Sequence, residues 1–236
     1  MRKTYLFIVA SLLALTVRAQ KTVVHDPNAE VRSLKGYHGI EVSDGIDLYL
    51  SQGDEETVVV SAKDIKMRDR IRTEVVNGIL RISLPHGWTV RDYRLKAYVS
   101  FTTLDRLTAS GASDVFVDGV IAGDHLFVSL SGASDFKGAV NVRQLKIEQS
   151  GASDARLTGV VSELANFNSS GSSHIKGYDL VTQSCTVDAS GASDIQITVN
   201  KELSASLSGA SNVYFKGDGV IRETHSSGAS AVKKVS

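Results

Sequence analysis

A five-residue string, Ser-Gly-Ala-Ser-Asp, returns at near-constant intervals through the second half of the chain. No other feature limits the possible folds as much. Copies begin at Ser110, Ser131, Ser150 and Ser190, and variants begin at Ser170, Ser208 and Ser227. Successive starts lie 21, 19, 20, 20, 18 and 19 residues apart. A chain that repeats at a fixed period folds as repeated units, each burying its apolar side on its neighbour.

The segments between the copies decide what kind of unit this is. Three residues before each copy stand Leu107, Val128, Ile147, Phe167, Val187, Ala205 and Thr224, all but the last apolar. Two residues before stand Thr108, Ser129, Glu148, Asn168, Asp188, Ser206 and His225, all polar. Five residues after the first Ser come Val115, Phe136, Ala155, Ile175, Ile195, Val213 and Val232. Alternation with a period of two marks a strand with one buried face, which excludes a flexible Ser/Gly linker. The period is too short for a propeller blade or a helical pair, and the leucine pattern of leucine-rich repeats is missing. The expected fold is therefore all-β, a single-stranded β-helix (solenoid) with ~20-residue coils. Seven coils at ~4.8 Å per strand give a rod of roughly 30–35 Å. In each pentapeptide the Gly supplies a positive φ where the chain changes sheet. The following Ala is read as the small residue that stacks at a crowded corner, and Ser and Asp as side chains that bond nearby backbone N–H groups. Gly119, Gly138, Gly159, Gly177 and Gly217 recur as marks of a further corner.

The first half lacks the pentapeptide but is also β-rich. Residues 1–19 read as a signal peptide: Arg2 and Lys3, an apolar run, then Val17 and Ala19 before a cut ahead of Gln20. The apolar run is short for a membrane span, and no other segment is long and apolar enough to be one. Residues 20–36 form an N-terminal extension. Residues 37–100 form an N-terminal β segment, expected to continue the solenoid core and cap it, with a separate domain as the alternative. Within it, 39–50 alternates around an Asp44-Gly45 turn or bulge, and 57–62 is a β-branched run. A short helical turn falls in 64–73, a hairpin over 75–84 turns at Asn77-Gly78, and another strand covers 95–101. Residues 101–236 form the repeat β-helix, with Lys233 and Lys234 guarding an edge and no room left for a C-terminal sorting domain.

With the opening strands GIEVSDGIDLYLSQGDEETVVVSA and NGILRISL set beside the repeated SGASD, the chain resembles the head-GIN domain family of auto-transporter-type putative adhesins from Bacteroidetes. The resemblance runs from about residue 37 to 232. It implies a right-handed β-helix exported to the cell envelope, and it brings no catalytic or ligand residues with it.

Several residues are candidates for chemistry. The last positions of the pentapeptides, Asp114, Asp135, Asp154, His174, Asp194, Asn212 and Ala231, form one column. Asp114, Asp135, Asp154 and Asp194 offer oxygens to calcium. Yet the column is interrupted, and known calcium repeats use a denser Gly/Asp pattern, so turn-capping carboxylates facing water are the preferred reading. Evenly repeated carboxylates are also what a structural motif produces, whereas a catalytic site should disturb one coil. Only the His174 coil departs, with Ser173 and Lys176 nearby. The histidines show no metal spacing and no nucleophile elbow occurs, so the chain is read as not an enzyme and as needing no cofactor. Trp88 is a weak candidate for partner contact, with packing over a core edge as the plainer reading. Cys185, the sole cysteine, lacks a nearby base and is read as core filling. Zero net charge and no basic stripe argue against nucleic acid. The expectation is a non-catalytic exported binding module whose partner is a glycan, an envelope protein or a second copy of itself. The alternatives are a self-associating periplasmic scaffold and a calcium- or polysaccharide-acting protein.

Overall fold

The structure, a computed structural model, describes residues 26–87 and 94–236. The expected leader at 1–19 and Trp88 lie outside the described residues. In chain order the elements are β1 (Glu30–Arg32), β2 (Gly39–Val42), β3 (Asp47–Gln52), β4 (Thr57–Ser61), α1 (Ile65–Arg68), β5 (Arg72–Val76), β6 (Ile79–Ser83) and β7 (Lys96–Phe101). There follow β8 (Arg106–Ala109), β9 (Val115–Leu130), β10 (Phe136–Gln149), β11 (Asp154–Ser169), β12 (His174–Ala189), β13 (Asp194–Leu207), β14 (Asn212–Lys216), β15 (Val220–Ser226) and β16 (Ala231–Lys234). They make a β-solenoid of about 6 turns.

Each of the strands β9 to β13 bends through corners and pairs in parallel with the next along most of its length. The alternation read from the sequence becomes two buried columns. One runs Leu48, Val115, Phe136, Ala155, Ile175, Ile195, Val213. The other runs Ile40, Leu107, Val128, Ile147, Phe167, Val187, Ala205. A middle stretch of each lap adds Val142, Val161, Thr182 and Val199 to the same core. Cys185 stands between Ala165 and Leu203 in an aliphatic column, and burial pushes its thiol up to about 12. It is packing, not a nucleophile.

The pentapeptides stack directly. At Gly191 φ is +82°, and a Cβ there would come within 2.4 Å of the Gly171 carbonyl oxygen. The same contact recurs from Gly132 to Gly228. Glycine is required twice over, by its backbone angle and by the coil beneath it. The corner also carries its own ladder: the Ala192 N–H donates to the Gly171 carbonyl at 2.8 Å, and Ala210 to Gly191 at 2.7 Å. One expectation is corrected here. The Ala of the pentapeptide is exposed, as at Ala112 and Ala192. The crowded position belongs to the second Ser, buried at Ser113, Ser134, Ser153, Ser173, Ser193 and Ser211. A hydroxyl there both donates and accepts. Ser173 donates to the Ser170 carbonyl at 3.0 Å, and Ser134 accepts the Ser113 N–H at 3.3 Å. Alanine would leave those groups unpaired. Of the second glycine set, Gly119, Gly159 and Gly217 take positive φ. Gly138 does not, and makes room instead: a Cβ there would meet Val117 at 2.5 Å.

The first half shares the sheet, but its spatial order departs from its chain order. β2 and β3 form a lap that lies against β8 and the start of β9. Asp44 and Gly45 make its corner, under Gly111. The chain then leaves the stack. It runs through β4, α1 and β5, turns back at Asn77-Gly78, and lays β6 and β7 on the outer side of β2 and β3. β4 and β5 pair antiparallel with that outer lap, and β1 covers β4. Asp64 caps α1 by accepting the Met67 N–H at 2.9 Å. Antiparallel strands thus close this end of the rod.

Replacing Gly191 by Ala forces both a strained backbone and a collision. Gly191→Ala is expected to cost about 2–4 kcal/mol, read as a fall in the urea midpoint. Ala192→Ser, a change already present as Ser172 one coil earlier, should move it by less than about 0.5 kcal/mol. An unchanged midpoint for Gly191→Ala would show that the corners do not bear on one another.

Candidate functional site

Strand geometry sends alternate side chains outward, and the ladder sets them in rows along the axis. Three outward rows matter.

The first is the acidic row. Asp135 donates its N–H to the Asp114 carboxylate at 3.2 Å, and Asp154 donates to Asp135 at 3.1 Å. His174 Nδ1 lies 3.0 Å from Asp154, and Asn212 donates to Asp194 at 3.0 Å. Arg156 reaches Asp135 and Asp154 at 3.8 Å, and Lys176 reaches Asp154 at 3.7 Å. These carboxylates bind coil to coil. Among the described residues, no group of three or more His, Cys, Asp or Glu is placed to hold a metal ion. The row has one more member than the repeat shows. Asp47 sits beside Asp114 at the start of the column, with Lys96 on its other side. Burial, then the charge of Asp114, raises the Asp47 carboxyl. Burial raises Asp114 too, and the like charge of Asp135 adds to it. Ser173, His174 and Asp154 are three residue types that in other geometry make a hydrolytic triad. Here Ser173 points inward, with its hydroxyl on the Ser170 carbonyl, while His174 points outward to Asp154. Neighbours on a strand face opposite ways, so the two do not meet.

The second row was not singled out from the sequence. Tyr98, Tyr49 and Phe116 stack with centroids 5.0 and 5.2 Å apart and ring planes within 21° and 23° of each other. The row continues as Lys137, Arg156 and Lys176. An open hollow of about 610 Å³ lies beside Phe116, Lys137, Arg156 and Lys176. Because the rings face one another, they show mostly edges to solvent. The signal lay in the sequence, in aromatic residues sharing one face of strands β3, β7 and β9, but their adjacency needed the spatial order of the first laps.

The third row is the polar position two residues before each pentapeptide. Ser129, Glu148, Asn168, Asp188 and Ser206 are partners in successive coils. The chain turns just beyond them, so Ser150, Ser170, Ser190 and Ser208 rise on the far side of a trough of about 510 Å³. Leu130, Gln149, Ser169, Ala189 and Leu207 line its floor. Gln149 is buried there, donating to the Ser153 carbonyl at 3.0 Å and accepting from Ser169 at 3.2 Å. Glu148 pairs with Lys146 at 2.7 Å. Among the described residues, the side chains of Ser129, Asn168, Asp188 and Ser206 have no intramolecular partner. They contrast with the acidic row, whose groups are nearly all engaged.

A capped parallel solenoid with an axial trough of side chains defines the class: a repeat protein that offers a long ordered surface. The chain belongs to the family described as "Putative auto-transporter adhesin, head GIN domain", whose model matches residues 36–219. No curated protein matches it. Among solved structures, the fold is shared with a putative adhesin from Bacteroides fragilis, at a TM-score of 0.82 and 18% identity, covering 88% of this chain and 96% of that one. It is shared with a putative lipid binding protein from Parabacteroides distasonis, at 0.69 and 20%, covering 89% and 98%. A putative adhesin from Parabacteroides merdae matches at 0.65 and 14%, covering 88% and 95%.

The raised carboxyls of Asp47 and Asp114 predict a pH effect. A carboxyl raised in the folded state adds stability that is full below its unfolded value of about 3.9 and is lost as pH rises through the folded value. At neutral pH its charge is therefore a burden. Asp114→Asn, which keeps an oxygen for the Asp135 N–H, should unfold at higher urea than the natural chain at pH 7. The gap should close below about pH 4. A lower midpoint at pH 7 would mean that the charge itself holds the coils together.

Proposed function

We propose that this chain is a non-catalytic, exported cell-envelope protein that works as an adhesin or binding module. It holds its partner against an axial row of side chains. One observation carries the reading: Ser129, Asn168, Asp188 and Ser206 stand in line at an open trough with no partner among the described residues. Side chains that stabilise a fold are engaged by it, as the acidic row is. A row left free in a concave place is available to a ligand. The family's adhesin description supports this direction. Export is supported by the grammar of residues 1–19. The destination is the periplasm, the outer-membrane surface or the medium.

Self-association is a second reading, favoured by β15. It is exposed along its whole length, with Val220 and Ile221 in the open, and among the described residues it pairs only with β13. Exposed edges recruit further strands, although Lys233 and Lys234 stand on the other terminal edge, on β16 where it pairs with β14.

Three measurements test these readings. Fractionation of whole cells with surface proteolysis should find the mature chain outside the cytoplasm, and a cytoplasmic pool would overturn export. A glycan array and an envelope-protein pull-down should give a saturable partner. Silence in both, with a dimer or larger species in light scattering, would favour the scaffold. Melting with and without calcium should coincide. A rise of several degrees with calcium would assign Asp114, Asp135, Asp154 and Asp194 to a metal.

A further inference from the structure

We infer that the trough beside the glycine corner takes an unbranched, uncharged polysaccharide lying parallel to the solenoid axis, about one sugar unit per coil. The inference rests on the binding-module reading and names the ligand class for its site.

Three features select this ligand. The first is the chemistry of the row. Ser129, Glu148, Asn168, Asp188 and Ser206 offer hydroxyl, carboxylate and amide groups. A carboxylate accepts from two neighbouring hydroxyls, and an amide both donates and accepts, which suits a ligand dense in hydroxyl groups. An added peptide strand needs a free backbone edge. Here the backbone on both sides of each rung is already paired from β9 to β13. Recognition must come from side chains.

The second is charge. Glu148 and Asp188 are the ionic groups of the trough, with Lys146 paired to Glu148 at its edge. An acidic polymer would be repelled by these carboxylates in a hollow, whereas an uncharged one would not. A cation is a poor alternative occupant. Glu148 and Asp188 are separated by the Asn168 rung, so they lie roughly 10 Å apart. One calcium ion needs its oxygens within about 2.6 Å.

The third is spacing. The five rungs from Ser129 to Ser206 follow one another at ~4.8 Å, so the row spans about 19 Å. Each pyranose of an extended chain advances by a comparable step. Successive units can therefore meet successive rungs, and a weak contact per rung adds up over the length of the polymer.

The probes are uncharged hexasaccharides of β-1,4-glucan, β-1,3-glucan, β-1,4-mannan, β-1,4-xylan and α-1,4-glucan, with a hexagalacturonate as the anionic comparison. Calorimetry on the mature chain should show binding to at least one uncharged member. Affinity should grow with length and level off near four or five units. Asp188→Ala and Asn168→Ala, both at outward positions of a strand, should each weaken binding about tenfold. Asp194→Asn, in the acidic row, should leave it unchanged. The urea midpoint of each variant checks that the fold persists. Three results overturn the inference: no binding to any uncharged hexasaccharide, preference for the galacturonate, or loss through Arg156→Ala while Asp188→Ala is silent. The last two would move the site to the hollow beside Phe116 and leave the binding-module reading standing. The first, together with an empty glycan array and pull-down, would remove that reading as well.

Discussion

The carbonyl oxygen of one corner glycine occupies the place where the next corner's Cβ would stand. That contact sets the closest approach of neighbouring laps at the point where the chain turns hardest. Were the corner wider, the N–H of the following residue would lose the carbonyl below it, and the buried serine hydroxyls would lose the N–H groups of the neighbouring coil. Every other regularity follows from this spacing. Side chains meet in columns because the backbones are held in register at the corner, and register in turn keeps a whole strand face buried.

Inward and outward columns obey different rules under this constraint. An inward column must fill volume, so Val115, Phe136, Ala155 and Ile175 vary in size while remaining apolar. An outward row is free in volume but not in electrostatics, since like groups stand one rung apart. The acidic row meets this with backbone N–H groups, His174, Asn212 and cations from the adjacent row. A similar answer appears elsewhere on the surface, where Arg143 bridges Asp124 and Glu163 from the coils on either side and holds the Asp124 carboxyl down at about 2. In the trough row the two carboxylates are kept apart by Asn168, and the flanking rungs are neutral hydroxyls. Repulsion is avoided by dilution: Glu148 pairs with Lys146, and among the described residues the other groups of the row stay free.

How far the sequence could be read depends on how local the determining physics is. The repeat and the alternation of Leu107 to Ala205 and of Val115 to Val213 are local, and they yield the solenoid and its buried columns. Asn77-Gly78 is a local turn signal and makes the expected hairpin. β1 was not expected, because its pairing with β4 is a long-range event on a short polar segment. Asp47 escaped notice for a related reason. Its lap reaches the corner through Asp44-Gly45 without the pentapeptide, so its place in the acidic row shows only when β3 is laid beside β9. The exchange of roles between Ala and Ser at the corner has a plainer cause. Size alone favours Ala at a tight place, but the tight place is lined by backbone polar groups, and a small hydroxyl satisfies them where a methyl cannot. The trough residues were read correctly as polar and outward. Their concavity was not legible, because it comes from the turn beyond them.

The laps are not equal in length, since successive corners lie 18 to 21 residues apart, and the solenoid must absorb the difference somewhere. It does so at the corners away from the pentapeptide. Register shifts fall between Lys137 and Ala139, Arg156 and Gly159, Gly177 and Val181, and again at Val142/Gln144, Val161/Leu164 and Thr182/Ser184. Between β10 and β13 none falls in the stretch that leads into the glycine corner: residues 144–149, 164–169, 184–189 and 202–207 pair one to one, and a shift enters that stretch only at the last lap, between Leu203 and Ser204 against β15. A bulge displaces side chains along the axis and between faces, so a row crossing one would lose its even spacing. The trough row lies in a stretch kept free of them across these four laps, as does the opening of each strand, where 136–137, 155–156, 175–176 and 195–196 also pair one to one. An even row does matter to a ligand that is itself periodic, since a mismatch at each rung would accumulate along the polymer. The corner glycines therefore do two things at once: they close the laps against one another, and they hold the trough straight.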